Sequence, residues 1–334
     1  MAIAILGARS WECGNSMLNT VDASSLVNVT VSATEKHTGA RSLLINDHAS
    51  WARWAIEGTP TDPSVSVWVF LKGSFNSNGT GNDYSNIRFH LTSGEYVDLR
   101  WNGAMHTYDA YVNGALFKAG TIAVTVNTWF HVQFYAQIAH AGNIGVKIDG
   151  HESINWPGDT LPGVSDAVDY LYIYSGAHTI QQDYIDDLVW GSGGYLGDLR
   201  CVDIMPDADT AQDDWTPTGA SNAASINEVP PSDASYNEVN TDAQADELDL
   251  GDFDGVTYTP VAVTAWARAW MLAATGDSLK VGVVSNAVEV TTTSALSTAA
   301  QYYFHTEDEN PDGPVPWDDA AIDALLLRYE SVIA

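Results

Sequence analysis

Two groups of side chains in this chain have types and spacings that suggest chemistry. The first is Asp308-Glu309-Asn310-Pro311-Asp312-Gly313 with Val315 and Asp319 beyond it. Asp308, Asn310 and Asp312 put oxygen ligands at positions 1, 3 and 5 of a calcium loop, with glycine at 6, an apolar residue at 8 and Asp319 at 12 before a predicted helix. The pattern departs from the rule at position 12, which is Asp rather than a bidentate Glu, and its prolines stiffen the loop, so an ordinary Pro-Gly turn is the competing expectation. The second group is aromatic: Trp51, Trp54, Trp101, Tyr108 and Trp156 sit among turn signals. Rings of this kind stack on sugar faces, and they also fill sandwich cores.

Other reactive patterns are missing. The nine histidines form no H-x-x-x-H or H-x-H pair, no G-x-S-x-G elbow occurs, and Cys13 and Cys201 have no metal-ligand spacing. Glycoside hydrolysis needs two carboxylates roughly 5 to 10 Å apart, and no strand offers a suitable pair. The expectation is a chain that is not an enzyme, with no cofactor beyond calcium at the acidic loop.

The elements that position these residues follow from the side-chain period. Ser42–Asn46, Val65–Leu71, Ile87–Leu91, Tyr96–Trp101, Thr107–Val112, Phe130–Gln137, Ile144–Ile148, Asp169–Tyr174 and Ile185–Trp190 alternate with period two. Between them lie turn signals such as Asn113-Gly114 and Asp149-Gly150, pairs that tolerate positive φ. After Gly191-Ser192-Gly193-Gly194, Leu199–Met205 reads as another strand. Residues 206–259 read as long acidic loops anchored by scattered apolar residues. Val261–Leu272, Leu279–Val284 and Ala300–His305 resume the strand pattern, Val261–Leu272 with both faces covered. Asp318–Leu327 predicts one short helix with Asp318 as its N-cap. The fold class expected is all-β, with two β-sandwich, jelly-roll-like domains over residues 1–192 and 198–334.

Charge restricts the partners. The formal net charge is −30, from 13 basic and 43 acidic residues; residues 1–197 carry nine and 18 of them, and residues 198–334 four and 25. So few cations exclude a phosphate backbone as the main ligand, hence no nucleic acid. No apolar run reaches the roughly 18 residues of a membrane span, hence no membrane.

The order Thr38-Gly39-Ala40-Arg41-Ser42-Leu43, Val65–Leu71, Asn127-Thr128-Trp129-Phe130-His131-Val132, Val146-Lys147-Ile148-Asp149-Gly150 and Ile185-Asp186-Asp187-Leu188-Val189 resembles the concanavalin A-like, laminin-G-like jelly-roll superfamily. That fold hosts lectins, glycosidases and adhesion modules alike. Gly197-Asp198-Leu199-Arg200, Trp215-Thr216-Pro217, Asn227-Glu228-Val229-Pro230-Pro231, the Val261–Arg268 strand and Pro316-Trp317 resemble a recurrent module of tailed-bacteriophage structural proteins. The resemblance implies a virion component assembled in the host cytoplasm, a capsid decoration or tail part contacting copies of itself and other virion proteins. The alternative is a virion adhesin whose first module binds host-surface glycan.

Overall fold

The chain, described from a computed structural model, is seen over residues 4–9, 29–46, 51–56, 58–72, 85–161, 163, 167–175, 182–228, 232–253, 260–313 and 315–334. Cys13 lies outside these residues. Over the described residues the protein is nearly all β with two short helices, as the alternating pattern predicts. It divides into two compact units, Met1–Val202 and Asp203–Ala334.

The first unit is two antiparallel sheets, with strands numbered in chain order. One runs β12 (His151–Gly158), β11 (Gly142–Ile148), β10 (Trp129–Gln137), β5 (Pro63–Lys72), β14 (Gln182–Ser192), β3 (Ser42–Asn46) and β2 (Val29–Ser32), with β1 (Ala4–Arg9) also paired to β14. The other runs β4 (Trp51–Ala55), β13 (Val168–Ser175), β6 (Ser85–Leu91), β7 (Tyr96–Asn102), β8 (Thr107–Val112) and β9 (Ala115–Lys118). Period two sends Val65, Val67, Val69 and Leu71 of β5 and Ile87, Phe89 and Leu91 of β6 into one core. The sheets meet through rings: Phe89 stacks on Phe134 at 4.8 Å, and Trp54 lies 6.1 Å from Trp190. Asn113 and Gly114, both at positive φ, make the tight turn between β8 and β9 that Asn-Gly predicts.

The segment expected as the opening strand of the second module is instead a strap on the first. After Gly193, whose N–H donates to the Asp62 carbonyl, residues 194–202 cross the outer face of the eight-stranded sheet, and side chains rather than a neighbouring strand supply their partners. Gly197 N–H donates to Gln133 Oε1 at 2.8 Å, and Ser66 Oγ, beside His131 Nε2 at 2.8 Å, donates to the Gly197 carbonyl at 2.8 Å. Trp68 Nε1 donates to Asp198 at 3.1 Å, and the Arg200 guanidinium lies 4.3 Å from the Trp68 ring. Tyr195 lies over Gly145, where a Cβ would come within 2.3 Å of its hydroxyl. The strap ends on Asp187, which accepts from Cys201 N–H at 2.9 Å and faces Arg200 at 3.6 Å. Asp187 occupies a bulge of β14 with φ of 47°.

The second unit has a five-stranded antiparallel sheet, β15 (Pro206–Asp213), β18 (Ala245–Leu250), β23 (Leu326–Val332), β20 (Ser278–Ser285) and β21 (Val288–Ala295). Two ribbons accompany it: β16 (Thr216–Pro217) with β17 (Asn237–Glu238), and β19 (Val263–Ala269) with β22 (Gln301–Glu307). The acidic residues 206–259 therefore hold strands, and also a helix, α1 (Asn222–Ile226), because their carboxylates serve as acceptors. Asp209 takes N–H groups of Asn222 and Ala223 at the start of α1, and buried Asp246 accepts from Trp215 N–H, Asn222 Nδ2 and the Tyr329 hydroxyl. The predicted C-terminal helix is shorter than its pattern. Asp318 caps it by accepting from Ala321 N–H at 2.8 Å, but α2 is only Asp319–Asp323. Leu325, Leu327 and Tyr329 also fit period two, and all three are buried in the second core.

Beside the strap, Asp186 is buried at 2% exposure and accepts backbone N–H bonds from His37, Thr38 and Asp187. Burial, then the neighbouring Asp187 carboxylate, pushes it up to about 7 against the pull of those donors. Because an unfolded Asp titrates near ~3.9, the stability from protonating Asp186 is complete below that pH and is lost as pH rises through about 7. Asp186→Asn removes this dependence. Denaturant midpoints at pH 5, 6, 7 and 8 should fall more steeply in the parent than in the variant, by up to about 1 kcal/mol per pH unit; parallel slopes would contradict it.

Candidate functional site

Three of the aromatic residues proposed from the sequence are core. Trp54, Trp101 and Tyr108 are exposed by only 2%, 0% and 1%, because they occupy the inward phase of β4, β7 and β8. Trp156 is exposed, yet it lies on β12 of the other sheet, with the Lys118 ammonium 3.7 Å from its ring. Only Trp51 stands in the outward phase of the six-stranded sheet. The five residues are not brought together.

That outward phase carries a different set. β4 presents Trp51 and Arg53, β13 presents Tyr170 and Tyr172, β6 Arg88 and His90, β7 Tyr96, Asp98 and Arg100, and β8 Asp109 and Tyr111. Register aligns them in rows. Arg53 pairs with Tyr172, Tyr172 with Arg88, Arg88 with Asp98 and Asp98 with Tyr111, a line crossing five strands. At about 4.8 Å per strand the row is roughly 19 Å long, enough for several sugar rings. A second row runs Tyr170, His90, Tyr96.

Stacking holds the arginines in place. The guanidinium of Arg53 lies 4.4 Å from the Tyr170 ring, that of Arg88 3.6 Å from Tyr96, and that of Arg100 4.3 Å from Tyr111. Asp98 is fully buried between Arg88 at 2.9 Å and Arg100 at 3.1 Å. Burial raises its pKa even though both arginines pull it down. Arg53 also donates to the Tyr172 hydroxyl at 3.1 Å. The surface is therefore flat-faced rings edged by fixed guanidinium groups, which suits a glycan.

It also holds parts for proton transfer. His90 Nδ1 lies 2.9 Å from Asp169, which orients the imidazole, and the His90 ring is 5.6 Å from that of Tyr172. Neither residue belongs to a spaced sequence motif; they meet because β6 and β13 are neighbours.

The oxygens of Asn310 and Asp312, proposed as calcium ligands, have partners within the protein. Asn310 Oδ1 accepts from Ser285 Oγ at 2.8 Å and from Asp312 N–H at 3.0 Å, and Asp312 accepts from Asn286 Nδ2 at 2.9 Å. These two side chains are turned to the β20–β21 hairpin. Among the described residues, no group of three His, Cys, Asp or Glu could hold a metal ion.

No family model matches the chain, and no curated protein matches it. Solved structures resemble part of it. An alginate lyase in complex with alginate tetrasaccharide has 13% identity over 56% of this chain and 96% of its own, with a TM-score of 0.40. The endo-beta-1,4-glucuronan lyase of the fungus Trichoderma reesei has 10% identity over 54% and 94%, TM-score 0.39. A conserved carbohydrate esterase of the Shiga toxin-encoding bacteriophage phi24B has 13% over 58% and 100%, TM-score 0.41. These similar structures are named as enzymes, against the expectation, based on absent motifs, that this chain is not one.

The Asp98 clasp fixes the site to the fold. Asp98→Ala leaves two half-buried arginines without their shared acid and should cost about 3–5 kcal/mol in urea denaturation. A loss below about 1 kcal/mol would show that the pairs behave as surface ion pairs.

Proposed function

We propose that the first unit binds a carboxylate-bearing glycan along the outer face of its six-stranded sheet, displayed on a tailed-phage particle. The observation that carries the reading is the aligned row Arg53, Tyr172, Arg88, Asp98, Tyr111. In a chain with only 13 basic residues, three of them stand on rings of this one face. Guanidinium pairs bidentately with carboxylate, and the aromatic rings between supply stacking for apolar sugar faces. His90, held by Asp169 beside Tyr172, gives the same face a group able to move a proton on a bound sugar. The likeness of residues 197–334 to phage structural modules supports the particle as the setting, with copies of the chain and other virion proteins as neighbours.

Affinity electrophoresis of the full chain in gels containing polygalacturonate, alginate or hyaluronate tests the binding. Retardation by at least one is expected, with affinity falling tenfold or more in Arg53→Ala and Trp51→Ala. No retardation by any of the three, or retardation unchanged in both variants, would refute the site. Incubating the retarding polymer with parent and His90→Ala chains, and following its length by size-exclusion chromatography, reads whether the face also cuts.

A further inference from the structure

Where a sheet ends, its last strand presents unpaired N–H and C=O groups to whatever comes beside it. Among the described residues, the edges at β9, β12 and β15 are each broken by a register shift. β12 is also covered, because Thr121 and Ile122 N–H groups donate to Ser153 Oγ and Thr121 Oγ1 donates to the Ser153 carbonyl. β21 has neither defence. It pairs with β20 along all eight of its residues, from Val288 opposite Ser285 to Ala295 opposite Ser278, without a shift. Its sequence, VEVTTTSA, contains no proline and no lysine.

The hairpin turn fixes which backbone groups are free. Asn286 and Ala287, both at positive φ, form a two-residue turn between β20 and β21. The pair flanking such a turn, here Ser285 and Val288, exchanges hydrogen bonds, and bonded pairs recur at every second residue. Val288, Val290, Thr292 and Ser294 therefore turn their N–H and C=O groups to β20, while Glu289, Thr291 and Thr293 turn theirs outward. Among the described residues, no hydrogen bond reaches those outward groups. Glu289 and Thr293 are exposed and Thr291 is half-buried, so the edge is open as well as unpaired.

Donors and acceptors alternating along an extended line are matched by another extended backbone. Charge selects which kind. Residues 203–334 hold 24 acidic residues against three basic ones, and all three cations, Arg268, Lys280 and Arg328, are ion-paired. At the hairpin end of β21, exposed Asp308, Glu309 and Asp312 flank Asn310, which accepts from Ser285. Asp277 stands at the other end, its carbonyl accepting from Leu296 N–H. A second copy would set its own acids against these, whereas a basic segment meets attraction at both ends. We propose that the β21 edge docks an extended, cationic segment of a partner protein, added as a sixth strand of the sheet with lysine or arginine near its ends. The paired stretch is roughly 24 Å long. It uses no residue of the first unit, so it stands apart from the glycan reading.

Fluorescence anisotropy of labelled synthetic peptides, titrated with the full chain, tests the site. The probes are a peptide of alternating valine and threonine with lysine at both ends, its glutamate-ended counterpart, and the lysine-ended peptide with proline at its centre. The lysine-ended peptide is expected to bind, and the other two to bind roughly tenfold more weakly or not at all. Thr291→Pro removes an outward N–H and leaves the ladder to β20 intact, so this variant should keep the parent's melting temperature and lose the peptide by a similar factor. No binding of the lysine-ended peptide, equal binding of the glutamate-ended or proline-centred one, or undiminished binding by Thr291→Pro would overturn the proposal. Should Thr291→Pro fail to fold, the proline-centred peptide still decides. A parent that sediments as a dimer and turns monomeric in a folded Thr291→Pro would also overturn it, because the edge would then be paired with a second copy.

Discussion

The two-residue repeat of a strand is the constraint from which the rest of the first unit follows. Each strand of the six-stranded sheet has one phase for the core and one for the outside, and the core phase is filled completely by groups such as Trp54, Phe89, Leu99 and Tyr108. The other phase is then free of packing duty. Because six antiparallel strands fix their mutual register through backbone hydrogen bonds, whatever lies in that phase is placed in straight rows. Arg53, Tyr172 and Arg88 are distant in sequence and adjacent in space for this reason alone.

Backbone geometry also explains how a buried carboxylate is tolerated among those rows. Asp98 has lost its water, and two guanidinium groups replace it. Each guanidinium in turn rests on a tyrosine ring. The cation, the acid and the ring hold one another, so side chains that would be mobile in solution are preset, which lowers the ordering cost of taking a ligand.

Much of the strand layout was legible in the sequence. Thr107–Val112 and Ser42–Asn46 lie where the alternation puts them, and Asp318 caps its helix as expected. Strands β9 and β12 were not legible, since Ala115–Lys118 and His151–Gly158 have no clean apolar phase. The site was misjudged on phase: ring type was weighed without asking which side of the strand each ring occupies, so Trp54 was preferred to its neighbour Arg53. Strands with bulky groups in both phases, such as Tyr-Leu-Tyr-Ile in β13 or Trp-Ala-Arg-Trp in β4, carried the signal. Leu325–Tyr329 failed differently. Helical and strand periods coincide over so few residues, and the place beside β18 and β20 decided between them. The partners of the acidic loop could not be read from spacing, because Asn310 and Asp312 accept from donors of a hairpin about 25 residues away in sequence.

The strap over Trp68 sets where the first unit can be separated from the rest. Gly191 and Gly193-Gly194 look like a seam for dividing the protein, yet ending the chain there would uncover Trp68, Ser66 and Gln133 and leave Asp187 facing no Cys201 amide. A transplantable version of this unit therefore extends through Val202, and the glycine-rich stretch is the bend by which the chain turns back onto its own sheet.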